Sequence, residues 1–206
     1  MATRTLATER KEASKQDKMN FSLLDLPNAI LGIFGLRTEA ELPYESLLED
    51  DDFSVRNFLP HVEIRNEEVG TREEATDRSF PRLYNYINGE NWDQEKFSMT
   101  TPVLQRTTGE HRWSTSFFLK GKVEDLPLPK SSAVKLYSVT SETMAVLRFS
   151  GRPTDELTLK QIARLQNWIS ERDLTVVGEP MIAQFDQPFS IPFLRRNEIH
   201  IPIETL

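Results

Sequence analysis

The stretch HVEIRNEEVGTREEATDRSFPRLYNYING, residues 61–89, decides the fold. It opens on a short β-prone run, His61-Val-Glu-Ile-Arg65. Thr71 then offers an N-cap, and Glu74 completes a T-x-x-E capping box, in which each side chain meets the other residue's backbone N–H. Phe80, Leu83, Tyr84 and Ile87 follow at i, i+3, i+4 and i+7, one apolar face of a helix, and Gly89 ends it. Pro81 lies inside that helix. It removes one donor and frees the Asp77 carbonyl, so a kink is expected there. Phe80 and Tyr84, one turn apart, share a face.

Working outward, Phe53-Ser-Val-Arg-Asn-Phe58 is a second β-prone run, joined to the first through Leu59-Pro60. Beyond the helix, residues 97–104 and Arg112–Leu119 are strand candidates, the latter holding Trp113, Phe117 and Phe118. After Leu126-Pro-Leu-Pro-Lys130 the order repeats. Residues 133–139 and 143–150 are strands, with Ala145, Leu147 and Phe149 on one face. Thr154 opens a helix with Leu159, Ile162, Leu165 and Ile169, and strands at 181–185 and 197–203 come after it. The two ββαββ units are offset by roughly 80 residues. The expected fold is therefore α+β: a distorted, mostly antiparallel barrel made of two pseudo-repeated halves, with the two main helices packed outside. A groove between helix and sheet is the usual place for a small ligand.

The rest of the chain sets limits. With 206 residues, one domain plus an N-terminal extension is the natural division. Residues 1–20 are polar, mixed in charge and aperiodic, and are expected to form a disordered arm. Residues 21–43 form an apolar N-terminal segment expected to pack on the domain or on a partner. Its centre, FSLLDLPNAILGIFGL at 21–36, is broken by Asp25, Pro27 and Gly32 and is too short to span a bilayer. A membrane-surface contact and a targeting role stay open for it, since Lys15 and Lys18 precede it. The domain proper runs over 44–206. Cytoplasm is the default location, with plastid import or export as alternatives.

Lys and Arg number 25 against 32 acidic residues, a net charge of −7, which argues against a nucleic-acid partner. The absence of cysteine removes disulfides, thiolate catalysis and thiolate ligation of haem. The three histidines, His61, His111 and His200, form no local metal motif.

Several segments resemble the SOUL haem-binding proteins. Tyr44-Glu45, Phe53-x-Val-Arg56 and Tyr86-Ile87-x-Gly89-x-Asn91 resemble the family's opening. Lys96-Phe-Ser-Met-Thr-Thr-Pro-Val103, Ser116-Phe-Phe-Leu119 with Leu126-Pro-x-Pro129, and Arg148-Phe-Ser-Gly151 come next in the family's order. The last is residues 188–203, with Pro192-Phe-x-Arg-Arg-Asn-Glu-Ile199 at its heart. The resemblance implies a barrel of two pseudo-symmetric halves and a haem or other tetrapyrrole as bound ligand.

By position, the resemblance sets that ligand against the first helix and the segment before the final strand. It picks out Phe80, Leu83, Tyr84 and Ile87, with Phe185 and Phe193 opposite; Leu83 and Ile87 are equally readable as core. The chain departs from the family in its polar partners. Asn57 stands where some members carry a histidine proposed as iron ligand, and His61 lies four residues on, beyond Pro60. Positions proposed to meet the propionates hold Asp77, Asn85 and Ile191, with Arg78, Arg82 and Arg195 as nearby substitutes. Met99 is a further possible iron ligand, more readily read as core.

The leading expectation is a non-catalytic binding or carrier protein. A hydrolase of a small hydrophobic substrate is the alternative, with Glu63 and Glu198 as its plausible carboxylates. A ligand-sensing regulatory module is a third, though neither tail nor charge supplies a DNA-binding element. Glu198 also reads as the partner of an Arg–Glu pair.

Overall fold

Each α-helix among the described residues begins where a threonine stands ready to cap it. The computed structural model describes residues 39–187 and 190–205. Helix α1 (Arg72–Ile87) is capped by Thr71 with its capping box to Glu74 closed, and α2 (Asp155–Ser170) is capped by Thr154. Each presents one apolar stripe: Ala75, Ser79, Leu83, Tyr86 and Ile87 are buried on α1, and Thr158, Gln161, Leu165, Trp168 and Ile169 on α2. Helix α1 runs continuously through Pro81.

The strands are β1 (Ala40–Glu41), β2 (Tyr44–Asp50), β3 (Phe53–Phe58), β4 (His61–Val69), β5 (Thr100–Thr101), β6 (Val103–Gly109), β7 (Arg112–Leu119), β8 (Val134–Val139), β9 (Glu142–Phe149), β10 (Met181–Gln184) and β11 (Asn197–Pro202). Nine of them form one antiparallel sheet in the order β2-β3-β9-β11-β10-β6-β7-β4-β8. Leaving out β2, that order reads the same from either end when the halves are exchanged, β3 for β8, β4 for β9, β6 for β10 and β7 for β11. The expected repeat is thus present as a pseudo-twofold, with the first strand of each half paired to the other half. The sheet curls into a distorted barrel with both helices outside, as the sequence pattern implies.

Side-chain alternation divides the core between two faces. Toward the helices, Val55, Ala145, Leu147, Ile199 and Ile201 meet Leu165, Trp168 and Ile169 of α2, while Val62, Ile64, Phe117 and Leu119 meet Leu83, Tyr86 and Ile87 of α1. Inside the curl, Phe58, Phe118, Met144, Val146 and Met181 pack with Leu42.

Two expectations need correction. Residues 97–99 are not strand: the Phe97 N–H donates to the Ile87 carbonyl at 2.8 Å, and its ring stacks on Tyr86. Pro102 then separates β5 from β6, since it has no N–H for a ladder. Strand β2 has no signature in the sequence, because Tyr44-Glu-Ser-Leu-Leu-Glu lies on the sheet edge with every residue exposed, leaving no alternation to read. Residues 1–38, and with them the expected polar arm and most of the apolar segment, lie outside the described residues; residues 39–43 join the domain through β1, which pairs with β5, and through buried Leu42.

Candidate ligand-binding site

Helix α1 has two unlike flanks around its buried stripe. On one, Thr76 and Phe80 are half-buried and Tyr84 is 47% exposed. The rings of Phe80 and Tyr84 are nearly parallel, 13° apart with centroids at 6.1 Å, and Phe80 meets the Phe117 ring edge-on at 5.2 Å. Below them a polar chain ties helix to sheet. Gln105 Nε2 donates to Thr76 Oγ1 at 2.7 Å, while Gln105 Oε1 accepts from Arg72 at 3.0 Å and from Gln184 at 3.2 Å. This flank is an aromatic shelf above β6 and β10. Leu83 and Ile87, 0% and 2% exposed, are core beneath it.

On the opposite flank stand Arg78 and Arg82. Both pair with Glu68; Arg78 also donates to the Val69 carbonyl, and Arg82 to Asn66 at 3.3 Å. The two arginines suggested for ligand carboxylates therefore lie across the helix from Phe80 and Tyr84, held by a carboxylate of β4.

Phe185 is buried with Leu104 and Ala183, and the Arg196 guanidinium sits 3.8 Å over its ring. Gln105 points to α1, so its neighbour Leu104, and Phe185 with it, faces the inside of the curl. The sheet separates Phe185 from the α1 shelf. Phe193, 73% exposed, belongs to the turn Pro192–Leu194, whose Pro192 carbonyl accepts the Gly151 N–H at 2.9 Å. Arg195 follows, its Nε donating to the Ser190 carbonyl at 3.0 Å.

Inside the curl are two buried carboxylates. Glu63 receives Arg65 and Arg106, each at 2.8 Å, with His61 Nε2 at 3.5 Å. Glu198 receives Arg56 at 3.0 Å, Arg196 at 2.9 Å and His200 at 2.8 Å. Burial by itself would raise both pKa values. The hydrogen bond from His61 and the charges of Arg106 and Arg65 outweigh it at Glu63, holding that carboxyl well below the usual range. His200, then Arg56 and Arg196, do the same at Glu198, down to about 2. Each network joins residues two apart along one strand, His61-Glu63-Arg65 and Arg196-Glu198-His200, to an arginine of another strand.

The candidate iron ligands are scattered over the molecule. His61 is buried with Nδ1 against the Leu59 carbonyl, and His200 is buried on Glu198 and stacked on Phe58. The His111 side chain is 79% exposed in the β6–β7 turn. Asn57 accepts a hydrogen bond from Ser141 at 2.8 Å, and Met99 packs half-buried against the α1 core. None of the three histidines joins the shelf. Among the described residues there is no cluster of three or more His, Asp or Glu suited to a metal ion. Nor is any described helix long and apolar enough to cross a membrane.

A cavity of about 540 Å³ opens at an end of the barrel between the β8–β9 turn, the α2–β10 connection and the end of β11, with Arg106 and Met181 in its lining. Beside α1, a cavity of about 110 Å³ lies under Arg82, Asn85 and Tyr86 against Pro129. Size favours the first, whereas the stacked aromatic pair lies on α1. Apolar area and ring stacking, the contacts that hold a flat plate, lie on α1.

No curated protein matches the chain. Among solved structures, the EcmrR C-terminal domain superposes with a TM-score of 0.58 at 11% identity, over 79% of this chain and 99% of that one. A hydrolase from Listeria innocua superposes at 0.53 with 8% identity, over 77% and 94%. A second hydrolase from Listeria innocua gives 0.53 at 11%, over 74% and 92%. These likenesses speak for the fold alone. The SOUL heme-binding protein profile, by contrast, matches residues 39–202, from β1 to the last residue of β11. With both halves of the barrel inside that match, the chain belongs to the SOUL heme-binding protein family.

Proposed function

We propose that this protein is a non-catalytic binding or carrier protein for haem or another tetrapyrrole, held mainly by apolar contact on the aromatic flank of α1. The observation that carries the reading is the Phe80–Tyr84 pair: two nearly parallel rings left partly open where the same helix buries Leu83 and Ile87. Family membership supports the ligand class. Burying a macrocycle there yields ~25 cal/mol per Å² of apolar area, with stacking in addition. Phe193 is the third aromatic we assign to this ligand.

The hydrolase reading has less behind it. Its carboxylates, Glu63 and Glu198, are 2% and 0% exposed and already matched by arginines. A carboxylate held near Glu198's pKa of about 2 is a weak base and no proton donor at neutral pH.

Absorbance titration with haem and with metal-free protoporphyrin tests the proposal. Because burial supplies the affinity, the two dissociation constants are expected to agree within about tenfold, ~1.4 kcal/mol. Tighter haem binding by more than that means that a protein group ligates the iron, and His61→Ala is then the first variant to make. Absence of binding by either overturns the reading.

A further inference from the structure

Residues 21–36, FSLLDLPNAILGIFGL, hold Leu23, Leu24, Ile30, Leu31, Ile33 and Phe34 with Asp25 as their one charge. A contiguous apolar stretch of that size is rarely left facing water. The described chain begins soon after it, and its first contacts set a direction. Strand β1 pairs with β5 in parallel, Ala40 beside Thr100 and Glu41 beside Thr101. The Leu42 N–H then donates to the Thr101 carbonyl at 2.9 Å, and the Leu42 side chain is buried inside the curl. Arg196 holds Glu41 at 2.9 Å, so the entry is anchored on both sides of the backbone. In a parallel pair the earlier residues of both strands lie on the same side. The chain before Ala40 therefore arrives from where residues 96–99 lie.

Those residues lead to the C-terminal end of α1, where the Phe97 N–H meets the Ile87 carbonyl at 2.8 Å. The loop between is closed by buried Asn91, whose Nδ2 donates to the Tyr86 carbonyl at 3.0 Å and to the Glu95 carbonyl at 2.7 Å. Beside Asn91 the loop pairs with the link before β8. Asn91 is bridged to Pro129 in antiparallel fashion, and the Trp92 N–H donates to the Leu128 carbonyl at 3.1 Å. Trp92 thus stands opposite Leu128, and the two are 67% and 68% exposed. Their backbone is tied down, since the Tyr86 hydroxyl also donates to the Pro127 carbonyl at 2.8 Å. Four residues separate Leu36 from Ala40, at most about 14 Å of extended chain, and three separate Phe97 from Thr100. Leu36 can reach the level of Phe97, and the residues before it the Trp92 loop.

We propose that the segment 21–36 folds back on its own domain and covers the Trp92–Leu128 face at the end of α1. Other large apolar side chains stand open, Leu159 on α2 at 65% among them, but the entry of the chain points to this pair. A tethered segment meets its own face at a high effective concentration, an advantage that a second molecule lacks. Docking there removes apolar surface of both partners from water at once. Neither Phe80 nor Tyr84 takes part, so the cover is independent of the tetrapyrrole reading.

The chain has no cysteine, which makes cross-linking clean. In the full chain, Leu128→Cys is combined in turn with Ile30→Cys, Ile33→Cys and Phe34→Cys, and the same three are combined with Leu159→Cys. On oxidation at low protein concentration, at least one Leu128 pair is expected to close an intramolecular disulfide about tenfold faster than its Leu159 counterpart. Melting of the full chain gives a second reading. Trp92→Ser and Phe34→Ser are each expected to lower the midpoint by about 3 °C or more, and the double variant by less than their sum. If no Leu128 pair outruns its Leu159 control, the segment lies elsewhere and the proposal falls. A Trp92→Ser midpoint within about 1 °C of wild type, or additive losses in the double variant, overturns it too. Leu128 links that form only between molecules assign the face to a second copy instead. Midpoints that hold while both serine variants lose binding to phosphatidylcholine vesicles assign it to a lipid surface, and either result replaces the intramolecular cover.

Discussion

The two helices of this barrel are one solution used twice, and they differ at the place that matters. On α1, Leu83, Tyr86 and Ile87 are buried; on α2, Leu165, Trp168 and Ile169 take the same spacing, 82 residues on. At that offset Phe80 corresponds to half-buried Ile162, Pro81 to Ala163 and Tyr84 to exposed Gln166. Packing against a sheet therefore needs the buried triplet. It does not need two stacked rings on the flank, because α2 does without them. The aromatic pair, with a proline between its members, is what distinguishes α1 from α2.

Core substitutions probe the shared part and have the largest expected effect. Leu83→Ala and Leu165→Ala each empty a site with no exposure, and each should cost ~2–5 kcal/mol in denaturant unfolding. Similar losses from the two support equivalence of the helices. Leu83→Ala should weaken porphyrin binding less than it weakens the fold.

Acid comes next. Glu63 belongs to the first half and Glu198 to the second, yet they stand on β4 and β11, which do not exchange under the pseudo-twofold; the charged clusters are thus a second asymmetry. Both carboxyls sit below the ordinary 4.5 in the folded state. The unfolded chain therefore binds more protons as pH falls. The stability they contribute is complete above about pH 5 and is lost on descent toward pH 2, on the order of 3 kcal/mol for Glu198 alone. Unfolding midpoints at pH 7, 5 and 3 should fall in that order. A flat profile means that the arginines and histidines do not hold these carboxylates as described.

The smallest expected effect is at the caps. Thr71→Ala and Thr154→Ala should each cost ~1 kcal/mol. Thr71→Ala should cost the more, because Thr71 anchors a closed capping box whereas Thr154 makes a single contact to Leu157. Thermal melts of the two variants decide it.

The features legible in the sequence were the local ones. Thr71 to Gly89 declares its cap, stripe and stop within nineteen residues, and the second half repeats the pattern, so the barrel and both helices could be read. Strand β2 was invisible because an edge strand with exposed faces carries no alternation. Residues 97–99 resemble a strand until Tyr86 and Ile87 supply their partners. On α1, the shared face of Phe80 and Tyr84 was legible from helical spacing, but the fate of the charges was not. Whether Arg78 faces a ligand or Glu68, and whether Phe185 lies above or below the sheet, depends on strand parity and on contacts far along the chain.

The central claim is that the flank of α1 binds the ligand and is not merely core. Porphyrin titration of Phe80→Ala, with its unfolding free energy measured on the same sample, tests this most directly. The account predicts that binding weakens by ~1–3 kcal/mol from lost stacking and burial, while stability falls by less than the ~3–5 kcal/mol of an emptied core phenylalanine. A variant that binds porphyrin as tightly as wild type, or that unfolds, would show that Phe80 serves the core as Ile162 does on α2, and the claim would be wrong.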